Sequence, residues 1–161
     1  MPLINREGLC GDPWVRVADE AALPEATHVI VTLERWRKER EALLGRGGPF
    51  GIRLQSDQPP DAIEADLVHF GLIALEFPQF KDGRAYSYAR LLRERYGFKG
   101  ELRATGNVLR DQLFFMLRCG FDSFEIPEKA KVEEWLKAFD EISVVYQPTP
   151  DGRRTALQLR R

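Results

Sequence analysis

Cysteine and histidine are both scarce in this chain, at two residues each in 161. Cys10 and Cys119 lie far apart and share no ligand spacing with His28 or His69, which argues against a structural zinc site. Two distant cysteines also exclude a disulfide framework, so the expected home is a reducing cytoplasm. No G-x-G-x-x-G, G-x-x-x-x-G-K-[ST], nucleophile elbow or Cys-x-x-Cys occurs. The usual fingerprints of a dinucleotide, a P-loop phosphate, an acyl-transfer serine and a dithiol are therefore missing. GRGG at 45–48 follows a helix-like segment, which marks a flexible loop rather than a phosphate cradle. The opening MPLINREGLCGDPW has no long apolar core and is charged early, unlike a signal peptide. No run approaches the roughly 20 apolar residues of a membrane helix. Net charge is −1, from 24 basic and 25 acidic residues, with no basic excess for nucleic acid or an acidic membrane.

What remains is ordinary globular material, 43% hydrophobic and 30% charged. A chain of this length suits one domain and buries about 70% of its unfolded surface. Residues 1–27 read as a polar lead-in, with WVRVAD as a short strand and Pro13 and Pro24 as punctuation. Beyond them the pattern alternates over 28–148. HVIVTL (28–33) is a strand, and LERWRKEREALLG (33–45) a helix ending at Gly45. FGIRLQ (50–55) is a strand, Pro59 and Pro60 open a short helix, and LIALEF is the next strand. A helix over 84–96 precedes the strand KGELRAT (99–105). A helix over 108–120 precedes FDSFEI (121–126), and a helix over 130–142 precedes SVVYQP (143–148). The tail 149–161 has a turn signal at Asp151–Gly152 and reads as a loose end or a hairpin. This is the signature of βαβ units and a largely parallel α/β sheet. A doubly wound sheet is the first expectation and a partial (β/α) barrel the alternative, because a complete barrel usually needs about 250 residues.

Parallel α/β proteins gather ligands at the carboxyl ends of their strands, where helix N-termini attract anions. Lys81, Asp82, Gly83 and Arg84 follow LIALEF, and Asn107 and Arg110 follow ELRAT. Asp82 and Asn107 suit caps and Gly83 a turn. Lys81, Arg84 and Arg110 are the cations left to form an anion pocket. Alternation also turns Arg103 away from Leu102 and Ala104, and Arg53 poses the same problem in GIRLQ. A charge within a covered strand must be paired. Glu76, Glu101 and Glu125 are the acids at hand, and the other reading gives both guanidinium forks to a bound oxyanion. On the helix 108–120, Phe114 lies within the polar stripe of Arg110, Asp111 and Arg118. That marks either a partner surface at Phe114 and Arg118 or a face covered by a neighbouring loop.

The elements F-x-x-F-x-D-G-R (77–84), A-R-L-L-R-E-R (89–95), G-E-L-R-A-T-G (100–106), L-R-D-Q-L (109–113) and R-C-G-F-D (118–122) resemble a bacterial family. Its members are filed as a domain of unknown function with an oxidoreductase label tied to sulfite reduction. Their genes lie near that for the sulfite reductase haemoprotein. The resemblance spans residues 50–148. Tyr86-Ser87-Tyr88 departs from it where the family more often has a Phe-Ser pair, which keeps an aromatic beside the loop. What the resemblance implies is a pathway. It names no catalytic residue and no cofactor.

The first functional expectation is thus an accessory protein of assimilatory sulfite reduction, a non-catalytic partner of sulfite reductase or its electron donor. The second is a small enzyme, a reductase among the options, holding a sulfur oxyanion or a phosphorylated metabolite at Lys81, Arg84, Arg103, Asn107 and Arg110. A third is a dimeric structural module whose arginines pair internally. Neither nucleic acid nor a membrane is expected as a partner.

Overall fold

In the computed structural model, residues 1–25, 28–79, 81–149 and 152–160 are described. Eight strands form a single sheet: β1 (Leu3–Asn5), β2 (Gly8–Cys10), β3 (Val15–Arg16), β4 (Val29–Thr32), β5 (Phe50–Leu54), β6 (Phe70–Phe77), β7 (Glu101–Gly106) and β8 (Ser123–Glu125). From β3 to β8 the strands lie side by side in chain order and pair in parallel. β1 joins β8 antiparallel, and β2 closes that edge as a hairpin with β1.

The α/β reading with a largely parallel sheet stands, and the partial barrel is the form it takes. A doubly wound sheet requires a reversal of strand order, and none occurs between β3 and β8. Right-handed crossovers taken always in one direction put every connecting helix on one face. Those helices are α1 (Leu33–Arg46), a 3₁₀ segment (Pro60–His69), α2 (Arg84–Arg90, continued by a wider turn to Arg95) and α3 (Leu113–Cys119). Alternation along the strands records the result. Val29, Val31, Ile73 and Leu75 join Trp36, Leu43, Ala89 and Met116 in the main core, while Ile30, Leu72 and Ala74 face the other way.

Local chemistry sets several boundaries. Thr32 ends β4 and accepts the Arg35 N–H at 3.1 Å to cap α1. The helix runs past Gly45 and stops at Gly47, where the backbone turns left-handed. After β7 the helix starts later than periodicity suggests. A 3₁₀ turn over Arg110–Gln112 precedes α3, and Leu109 occupies the cap without a side-chain bond. Beyond β8 lie α4 (Val132–Lys137) and α5 (Ala156–Leu159), and residues 143–148 are not a strand. Asp151, which begins the turn signal of the tail, lies outside the described residues.

The lead-in is the main surprise. It supplies β1 and β2 at one edge of the sheet and β3 at the other. Residues 11–14 must therefore cross the whole sheet. From Cys10 to Val15 the chain can reach at most about 18 Å. Laid flat, the eight strands would separate those edges by about 34 Å. The strap fits only because the sheet curls into a half-barrel, across whose mouth it runs as a chord.

Candidate functional site

At the carboxyl ends of β5 and β6 the expected loop residues come together with Ser56. Arg84 donates to the Ser56 hydroxyl at 2.9 Å and to both carboxylate oxygens of Asp82, at 2.9 and 2.5 Å. Tyr88 donates to the Ser56 carbonyl, also at 2.9 Å. Asp82 accepts the Arg84 N–H at 3.2 Å as well, tying the loop to the start of α2 one place before the cap, which is Gly83. Arg84, hydrogen-bonded to Asp82, holds that carboxyl far below the usual carboxylate range. Tyr86 packs edge-on to Phe77, and burial pushes its hydroxyl up to about 12. Lys81 and Asn107 are exposed near this rim. Asn107 is held by its backbone N–H to the Phe77 carbonyl at 2.7 Å rather than by a capping side chain.

Arg110 is turned elsewhere. Its guanidinium bonds the Glu141 carboxylate and the Glu134 carbonyl, joining α3's leading turn to α4 and the segment after it. Arg103 is also committed. It is 1% exposed, and its fork takes Asp12 of the strap at 2.7 and 3.0 Å and Glu101 at 3.0 Å. Glu125 stands 3.8 Å away and pairs with Arg16. Arg53 pairs with Glu76 at 2.9 Å. The sequence demanded partners for Arg53 and Arg103 and named Glu76, Glu101 and Glu125. Asp12, the partner that closes the mouth, was missed.

Arg103, Asp12, Glu101, Glu125 and Arg16 form one charged cluster on the concave face, with the Ser123 hydroxyl donating to Glu101. Burial raises the Asp12 carboxyl, but the Arg103 bonds and the Trp14 N–H outweigh it, and the net lies below the ordinary value. Trp14 fills the remaining concavity. Its ring stacks edge-on with His28, centroids 5.0 Å apart, and lies where a Cβ on Gly51 or Gly71 would come within 3.2 or 3.3 Å. A lone tryptophan in a polar lead-in was the available sign that this segment packs.

Phe114 does not present a surface. It is 3% exposed, with the Arg118 and Arg153 guanidinium groups 5.9 and 5.0 Å above its ring. Arg118 bonds the Gln147 carbonyl and Thr149, so the C-terminal segment is the covering loop. The neighbouring Phe115 is the exposed one, at 54%. Among the described residues no group of three or more His, Cys, Asp or Glu could hold a metal ion, and no helix is long and apolar enough to cross a membrane.

Residues 51–157 match the model of a bacterial protein family of unknown function, DUF934. No curated protein matches the sequence.

Proposed function

The chain belongs to this bacterial family of unknown function, and from that premise we propose that it acts in assimilatory sulfite reduction as a non-catalytic partner of sulfite reductase or its electron donor. The pathway rests on the motifs between Phe77 and Asp122. The non-catalytic role rests on one observation: Arg84, Arg103 and Arg110 spend their guanidinium groups on Asp82, Asp12, Glu101 and Glu141. An oxyanion would have to displace those carboxylates, and at the buried Arg103 that exchange is costly. Exposed Phe115, Tyr146 and Leu157 supply apolar surface of the kind protein partners use. Two free cysteines suit a cytoplasmic setting.

Affinity capture from a native host tests the proposal. Recovery of sulfite reductase or its reductant is the expected result, and recovery of no sulfur-assimilation enzyme under several conditions would sink it. A deletion strain adds the pathway arm: growth should fail on sulfate and sulfite and return with cysteine.

A second reading keeps a small anion at the rim. It is favoured by Lys81, exposed beside a half-exposed Arg84. Calorimetric titration with sulfite and sulfate decides, because affinity unchanged by Arg84→Ala removes that site.

A further inference from the structure

A cleft of about 840 Å³ opens at the amino-terminal ends of β7 and β8, away from the loops that carry Arg84 and Asn107. Its volume falls within the roughly 300–1,000 Å³ of small-molecule sites. Among the described residues, Arg6, Arg90, Arg93 and Lys99 line it against Glu94 and Asp122.

Both carboxylates are already engaged. Glu94 takes Arg90 at 2.9 Å, while Asp122 takes Arg93 at 2.5 Å and the Leu102 N–H at 2.8 Å. Arg93 donates also to the carbonyls of Gly120, Phe98 and Gly100, at 3.0, 2.8 and 2.8 Å. With four of its five N–H donors spent and its side chain 14% exposed, Arg93 is the floor of the cleft rather than a hand for a ligand. The positive charge left over belongs to two side chains. Lys99 is exposed and has no ion-pair partner among the described residues, and Arg6 reaches only Asp140, at 3.8 Å with both side chains exposed. Leu117 and Pro148 add apolar wall.

We infer that this cleft binds an organic anion, a sulfonate, phosphate or carboxylate on an apolar body. The head group is drawn to Lys99 and Arg6, and the body lies against Leu117 and Pro148. A purely apolar ligand would leave the two cations unused, and an inorganic ion would leave the walls wet. The inference rests on the cleft alone and stands or falls apart from the sulfite pathway.

Titration with 8-anilinonaphthalene-1-sulfonate tests it, with neutral N-phenyl-1-naphthylamine as the uncharged counterpart. The expected result is one-to-one binding of the sulfonate that weakens with salt and at least tenfold in the double variant Arg6→Glu/Lys99→Glu. The remote Lys131→Glu should bind as the parent does. The milder Arg6→Gln/Lys99→Gln should show a smaller loss in the same direction, which guards against misfolding of the charge reversal. Equal binding of the neutral compound, unchanged affinity in both double variants, or no binding by the parent chain would each overturn the assignment.

Discussion

Asp12 on the strap and Arg103 on β7 meet across the mouth of the half-barrel as a forked ion pair, at 2.7 and 3.0 Å. Removing Asp12 strips the buried Arg103 of its forked partner and leaves it Glu101. Asp12→Ala should therefore destabilise the protein strongly. Because Asp12 is 37% exposed and Glu101 stays beside Arg103, the loss belongs near the low end of the about 3–5 kcal/mol of broken buried pairs. Urea unfolding measures it. Adding Arg103→Met should return much of the loss, and a double variant no better than the single would show that the pair is not the cause.

The same pair sets a pH dependence. The Asp12 carboxyl is held below its ordinary value in the folded protein, so the unfolded chain binds its proton more readily. The stabilisation is complete above the unfolded pKa of about 3.9 and is lost as pH falls through the folded value. Asp66 contributes in the same direction, its bond from Arg40 outweighing burial. Burial pushes Asp122 the other way, so its contribution declines as pH rises past the unfolded value. Unfolding free energy plotted against pH should fall on the acid side, and Asp12→Asn should make that fall shallower.

Trp14 anchors the strap over Gly51 and Gly71. Trp14→Ala should cost up to about 3 kcal/mol, the lower bound for a fully buried tryptophan, because this ring is only half buried. Thiol labelling gives a local readout. Burial raises both the Cys10 and the Cys119 thiol, so each should react more slowly than free cysteine at neutral pH. Loosening the strap should speed Cys10, which lines the small cavity beneath it, and leave Cys119 unchanged.

Gly106 ends β7 at φ +85°, where a Cβ would sit 2.5 Å from the Phe77 carbonyl oxygen. That oxygen is held by the Asn107 N–H at 2.7 Å and cannot step aside cheaply. Gly106→Ala should cost at least the about 1–3 kcal/mol of a strained backbone, read as a lowered melting temperature.

Phe115→Asp and Tyr146→Asp change exposed side chains, so stability should move by no more than about 0.5 kcal/mol. If these side chains meet the proposed partner, both variants should lose co-purification with it. Retained binding in the double variant would move the interface elsewhere.

Much of the βα alternation was legible because each unit is local: apolar runs of strand length, then helical periodicity, closed by glycine or proline. The need to pair Arg53 and Arg103 was legible too, since a cation inside a covered strand has few alternatives. The strap was not. Asp12 lies 91 positions from Arg103, and no local pattern announces a pairing at that distance. Running strand order likewise has no signature of its own, because doubly wound and barrel-like sheets share the same βαβ grammar. Phe114 and Phe115 are adjacent, and which of them is covered depends on Arg118 and Arg153, themselves placed by the C-terminal segment.

The order in which this sheet is completed has a bearing on how the chain is made. Ile4 pairs with Phe124, so the earliest strand must wait for one of the latest. On a ribosome the β1–β2 hairpin emerges long before β8, with only a short strap joining it to β3. Contacts of such sequence separation slow folding, because the loop between them must close before the pairing rewards it. While β8 is still unmade, the edges of β7 and β1 that it will cover are open to strangers. The half-barrel is thus most exposed to mispairing during its own synthesis, and a chaperone would meet it there first.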